Sequence, residues 1–276
     1  MTKSLSRRTA LQVLGASLLA PAVGCDDAAT GAGDAGTRTD AALDAASDAS
    51  PELGPDTGPP AGWASGGTAA MTDAASYPDP FVGGAGCALF AESTRGPCYT
   101  SSPLRRDVSE GFPGLPLRLA LQLLDRDCAP LAGAQLELWH TRNSGLYSEG
   151  PIDFCTLGDA DAAAATYFRG AQVADAEGKL AFDTCFPGWY PGRAIHIHFQ
   201  VVLAGGTAAT RVSQLFFAAP LIQEIFAEHP EYAAFGQPDT PNAADGIFRG
   251  IGDASVLSTQ RMSDGAMLAW KAIQVV

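Results

Sequence analysis

The chain has 276 residues, of which 46% are hydrophobic and 17% charged, and it carries a formal net charge of −13. It is long enough for one or two domains with a sizeable core. The acidic balance, without a basic patch, excludes nucleic acid as a partner.

Read from the start, residues 1–24 have the layout of an export signal. Lys3, Arg7 and Arg8 are followed by an apolar run from Ala10 to Val23, and no acid interrupts it. The run SRRTAL, Ser6 to Leu11, looks like a twin-arginine signal. The apolar run is too short for a comfortable membrane span. It ends in AVGC, which resembles a lipoprotein cleavage site, although Ala22 stands where Leu is more usual. Cys25 is therefore a candidate for lipidation, a single anchor without a span; the alternative is a thiol in a discarded signal. Residues 25–68 are rich in Asp, Ala, Thr, Gly, Pro and Ser and read as a disordered tether, because they lack the apolar area to offset chain entropy. Its eight acids against Arg38 account for −7 of the formal charge, the signal carries +3, and residues 69–276 are left with −9. These features predict an exported, cell-envelope protein whose only membrane contact is a lipid at Cys25.

Residues 69–276 read as the folded domain. Cys87, Cys98, Cys128, Cys155 and Cys185 fall within it, with no CxxC pair to suggest structural zinc. An exported location permits disulfides, the odd count leaves one thiol over, and the connectivity stays open. LPLRLALQLLD alternates, with Leu117, Leu119, Leu121 and Leu123 on one face. AQLELWHT, GKLAFDTCF, AIHIHFQVVLA and TRVSQLFFA follow as further strands, separated by turn signals. Pro220 to Phe235 has helical spacing, QPDTPNAADG reads as a long polar loop, and MLAWKAIQVV as a final strand. The pattern predicts an all-β domain, an antiparallel β-sandwich with long loops and a short helix. Loops on such a scaffold are where sites usually sit.

His196 and His198 lie two apart in a predicted strand, so both imidazoles face the same way and can converge on one metal. Taken alone, an HxH pair is more often two unliganded histidines. Its surroundings, PGWYPGRAIHIHF, add Tyr190 on a Pro-Gly turn and Arg193 three residues before His196. Tyr147, in GLYS, is a second candidate tyrosine. No HxxxH pair supports a zinc protease. Trp139 and Trp189 read as core or pocket wall and His140 as structural. Tyr167 reads as packing or substrate contact, and Arg169 as paired with an acid.

From about Cys87 onward the chain resembles the intradiol ring-cleavage dioxygenases, the family of protocatechuate and catechol dioxygenases. The marks are the ordered set ESTRGPCY, LPLRLALQLLD, PLAGAQLELWHTRNSGLYS, FRGAQVADAEGKLAFDTCFPGWYPGRAIHIHF and VSQLFF. EYAAFGQPDTPNAADGIF also fits exported members. The resemblance implies one Fe(III) per chain, held by Tyr147, Tyr190, His196 and His198, with Tyr190 the ligand that leaves when substrate binds. It implies that Arg193 faces the substrate, stabilising charge that develops on the ring, and that Gln214 belongs to the same pocket. The implied reaction inserts both atoms of O2 into a catechol-type diol and opens the ring to a muconate-type diacid. Phenolates are hard anionic donors suited to a ferric ion. The helical dimerisation region of intracellular catechol-cleaving members has no counterpart. The Ala-rich insert GDADAAAA lies between Tyr147 and Phe168, where ring substituents are read, so the resemblance carries no particular catechol with it. A non-catalytic β-sandwich lipoprotein holding a small aromatic or carbohydrate, and a zinc hydrolase, are the competing readings. Oligomeric state is left open.

Overall fold

A computed structural model describes residues 62–84 and 86–276. The predicted signal peptide, Cys25 and residues 25–61 of the predicted tether lie outside the described residues. The last stretch of that tether behaves differently from expectation. Residues 62–68 lie on the folded domain because Trp63 supplies an aromatic side chain, which the rest of the tether lacks. It packs against the main core, its Nε1 donates to Glu224 Oε1 at 2.7 Å, and the Arg261 guanidinium stands 3.9 Å from its ring centroid.

The elements in chain order are β1 (Pro116–Leu124), β2 (Gln135–Trp139), α1 (Asp153–Thr156), α2 (Ala160–Ala164), β3 (Arg169–Val173) and β4 (Lys179–Cys185). Then follow β5 (His196–Val202), β6 (Arg211–Phe216), α3 (Ala219–Glu228), α4 (Gly246–Ile251), β7 (Ser258–Arg261) and β8 (Met267–Gln274). The strands form two four-stranded sheets, ordered β4-β1-β8-β7 and β3-β2-β5-β6. The sheets are mostly antiparallel, with few helices. One ladder departs from the antiparallel expectation: β1 pairs with β8 in parallel, Leu117 opposite Met267 and Leu123 opposite Ile273. Most of the chain separates these two strands, so no hairpin constrains their direction. Among the described residues no helix is long and apolar enough to cross a membrane.

Strand periodicity decides what goes where. Leu117, Leu119, Leu121 and Leu123 of β1 share one apolar cluster with Leu136 and Leu138 of β2, Ile197, Phe199 and Val201 of β5, and Leu215 of β6. Alternation therefore sends His196 and His198 of β5, Trp139 of β2 and Gln214 of β6 to the opposite face of the second sheet. The register puts His198 directly between Trp139 and Gln214, and His196 opposite Phe216.

One expectation in the loops is corrected. The helix read over Pro220 to Phe235 ends at Glu228, because Pro230 cannot continue it; a single 3-10 turn follows at Ala233–Phe235. The insert GDADAAAA contains α2, capped by Asp159, whose side chain accepts from Ala162 N and pairs with Arg142 at 3.0 Å. Cys87 pairs with Cys128 and Cys98 with Cys155, leaving Cys185 free and buried.

Candidate metal centre

The second sheet's outer face is closed over by three loops. Tyr147 arrives from the β2–α1 loop, buried, with its N–H donating to Cys155 O at 2.9 Å. The Tyr167 hydroxyl donates to Tyr147 O at 3.2 Å, and buried Arg169 donates to Ser148 O and, at 2.8 Å, to Cys98 O. Arg169 thus pairs with backbone carbonyls and not with the expected acid; a carbonyl is a strong acceptor, and those of Ser148 and Cys98, with the Ser148 hydroxyl, lie within this guanidinium's reach. Tyr167 is packing that also anchors the first tyrosine. Tyr190 arrives from the β4–β5 loop. The two loops touch at Gly145, where φ is +81° and a side chain would run into the Trp189 carbonyl. The third loop brings Gly96 over His198, with room for a Cβ only 3.1 Å from His198 Cε1.

The polar atoms of the four predicted ligands meet. His196 Nε2 lies 3.1 Å from His198 Nε2, 3.3 Å from Tyr147 Oη and 3.3 Å from Tyr190 Oη, and the two hydroxyls are 3.5 Å apart. His196 Nδ1 lies 2.6 Å from Ala194 O, which requires its proton there and leaves Nε2 as a lone pair. His198 stacks on Trp139 with ring centroids 5.0 Å apart, and its Nδ1 is buried with no hydrogen-bond partner among the described residues.

Burial, reinforced by the nearby Arg193 charge, lowers the His196 imidazole to about 3. Burial and the His196 charge hold His198 well below its ordinary value. Burial raises both phenols, Tyr147 well above the ordinary range with Tyr190 adding to it, and Tyr190 against the opposing charge of Arg193. The protein alone therefore gathers two neutral imidazoles and two neutral phenols, whose two hydroxyl protons are the only ones available to four closely spaced polar atoms. A cation reverses the balance for the phenols by stabilising their anions. Donors bound at ~2.0–2.2 Å from one first-row ion stand roughly 3–3.5 Å apart, the spacing seen here. The donor set fits a small, hard metal ion. Among the described residues no group of three or more His, Cys, Asp and Glu could hold a metal, so the centre depends on its tyrosines.

Beside it, Arg193 donates from Nη2 to Gln214 Oε1 at 2.5 Å and from Nε to Asp245 Oδ2 at 2.8 Å, and its Nη1 stands 3.5 Å from Tyr190 Oη. Tyr147, Tyr190, Arg193, His196, His198 and Gln214 are thus brought together. Cys25 lies outside the described residues. Sequence reasoning missed Asp245, Gly96 and Gly145. Asp245 sits in the stretch read as a polar loop, where an Asp-Gly step ahead of IFRGI is also an N-cap signal.

A family model described as Dioxygenase (Dioxygenase_C) matches residues 92–229, half of the chain and all of this constellation except Asp245. The chain belongs to the intradiol ring-cleavage dioxygenase family. Its fold is similar to that of an intradiol ring-cleavage dioxygenase from Tetranychus urticae, with 28% identity and a TM-score of 0.60 over 68% of this chain and 95% of that one. The dioxygenase domain of a dioxygenase carbohydrate-binding protein fusion from Streptomyces sp. SirexAA-E shares the fold at 23% identity and a TM-score of 0.50, over 68% of this chain and 100% of that one. No match was found among curated proteins.

Proposed function

We propose that this chain is a ferric dioxygenase that inserts both atoms of O2 into a catechol-type aromatic diol, with intradiol cleavage to a muconate-type diacid. The observation that carries the reading is the meeting of four donor atoms: His198 Nε2, Tyr147 Oη and Tyr190 Oη all lie within 3.1–3.3 Å of His196 Nε2. One Fe(III) per chain would be held by Tyr147, Tyr190, His196 and His198. When bound, the ferric ion supplies Lewis acidity toward the two diol oxygens and the redox chemistry that makes the ring reactive toward O2. The residues do the rest. Tyr147 and His198 are buried on both sides of the donor set and stay fixed. Tyr190 is only partly buried, and its Oη is placed to take a proton from the incoming diol. Arg193 Nη1 points at that same oxygen and offers a donor to negative charge on the substrate. Gln214 holds the guanidinium in line. Trp139, stacked on His198, keeps water from the histidine side.

We also propose the domain arrangement read from the sequence: a signal at residues 1–24, a tether beginning at Cys25, and a catalytic domain held at the cell envelope by a lipid on Cys25. A Cys25→Ser variant would then leave the membrane fraction for the soluble one.

The test uses the full-length chain loaded with ferric iron. A visible charge-transfer band that shifts on anaerobic addition of catechol, followed by ring-opened product when oxygen is admitted, is the expected result. Tyr147→Phe and His198→Ala should each abolish colour and turnover. Folded protein with iron present but no such band would sink the two-tyrosine centre and favour a non-catalytic binder.

A further inference from the structure

The residue that the sequence reading left in a polar loop is the one on which Arg193 depends. Asp245 is fully buried, and each of its carboxylate oxygens accepts two hydrogen bonds. Oδ1 takes the N–H groups of Ile247 at 2.7 Å and Phe248 at 3.1 Å, capping α4. Oδ2 takes Arg193 Nε at 2.8 Å and Ala194 N at 2.9 Å. Gln214 Oε1 takes Arg193 Nη2 at 2.5 Å, and the Gln214 amide is itself tied to Thr94 O at 3.4 Å. Two of the three guanidinium nitrogens are therefore held, Nε by Asp245 and Nη2 by Gln214. The third, Nη1, faces Tyr190 Oη at 3.5 Å, too far for a good hydrogen bond and so left to meet another acceptor.

We propose that Asp245 is a positioning residue for catalysis: with Gln214 it clamps the Arg193 guanidinium so that Nη1 alone is turned to the oxygen beside Tyr190. The catalytic half of this statement rests on the dioxygenase reading; the clamp itself does not. Asp245 also makes α4 part of the site, since one carboxylate joins the start of that helix to the segment leading into His196. A carboxylate serves here where an amide would not. Asparagine caps a helix as well as aspartate does. At Oδ2, however, an amide NH2 would face two donors, Arg193 Nε–H and Ala194 N–H, and leave both without an acceptor.

The experiment compares wild type, Asp245→Asn, Arg193→Met and the double variant as full-length chains. On metal-free protein, a 15N-resolved spectrum of arginine Nε–H groups reads the clamp. The Arg193 resonance, identified by its loss in Arg193→Met, should be present and slow to exchange in wild type and displaced or lost in Asp245→Asn. On ferric protein with catechol, Asp245→Asn should lower kcat about 10–100-fold while KM moves less than about 3-fold. In the Arg193→Met background the same substitution should cost less than about 3-fold, since the residue acts through Arg193. Asp245→Ser, which keeps a cap and removes the carboxylate, should repeat the pattern if the Asn variant does not fold. An unmoved Arg193 resonance, or equal losses of kcat with and without Arg193, would overturn the proposal and leave Asp245 a helix cap only. If wild type has no turnover, the dioxygenase reading has failed, and the spectrum still decides the clamp.

Discussion

Gly145→Ala tests how the two tyrosines are brought together. Gly145 has φ +81°, and an added Cβ would overlap Trp189 O and stand 3.0 Å from Trp189 C and 3.6 Å from Tyr190 Cβ. Two costs add. An alanine in the left-handed region costs ~1–2 kcal/mol. Forcing a methyl into a packed backbone contact costs about 1–3 kcal/mol more, because a carbonyl cannot rotate aside as a side chain can. The sum, ~2–5 kcal/mol, should lower the melting temperature by roughly 4–20 °C at about 2–4 °C per kcal/mol for a domain of this size. The overlap lies between the loops carrying Tyr147 and Tyr190, so relief of the clash separates the two hydroxyls. Iron retention and the tyrosinate band should fall with the melting temperature. Gly205→Ala is the internal control. Its φ is +74° with nothing within 4 Å, so it should cost only the first ~1–2 kcal/mol and leave the band intact. Calorimetry and iron titration on the three proteins suffice. If the two variants melted together, or Gly145→Ala held iron as wild type does, the role given to that contact would be wrong.

Gly96→Ala should weaken iron retention about 10-fold, because its Cβ would press His198 Cε1 at 3.1 Å; competition with a chelator measures it. The two disulfides close spans of 41 and 57 residues, so replacing either pair with serine should cost ~4 kcal/mol. Only the loss of Cys98–Cys155 should also bleach the centre, since Cys155 O receives the Tyr147 N–H. Burial pushes the Asp245 carboxyl up, but the Ala194 N–H, Arg193 and the Phe248 N–H outweigh it and hold the group below the ordinary carboxylate range. A depressed folded-state pKa stabilises the fold above the unfolded value of ~3.9, and the benefit disappears as pH falls through the folded value. The melting-temperature gap between wild type and Asp245→Asn should therefore be widest at pH 5–7 and shrink below about pH 4. A gap that did not shrink as the pH was lowered from 4 would contradict this.

Much of the centre was legible before folding. Two-residue periodicity put His196 and His198 on one face. The same periodicity in LPLRLALQLLD and AIHIHFQVV separated a core face from a site face, because alternation along a strand is local geometry. The ordered motifs named Tyr147, Tyr190, Arg193 and Gln214. What depended on distant chain was not legible. The parallel β1–β8 ladder joins segments from opposite ends of the domain, and neither strand's pattern encodes its partner. The disulfide pairing, Arg169's choice of carbonyls over an acid, and the docking of Trp63 all required knowing which surfaces meet.

Asp245 marks the boundary between the two. The sequence by itself determined that an Asp-Gly step could cap a short helix, since a cap needs only the next three residues. Only the tertiary structure decided that the second oxygen of that carboxylate meets Arg193, because that contact spans 52 positions and exists only once the start of α4 is folded against the segment leading into β5.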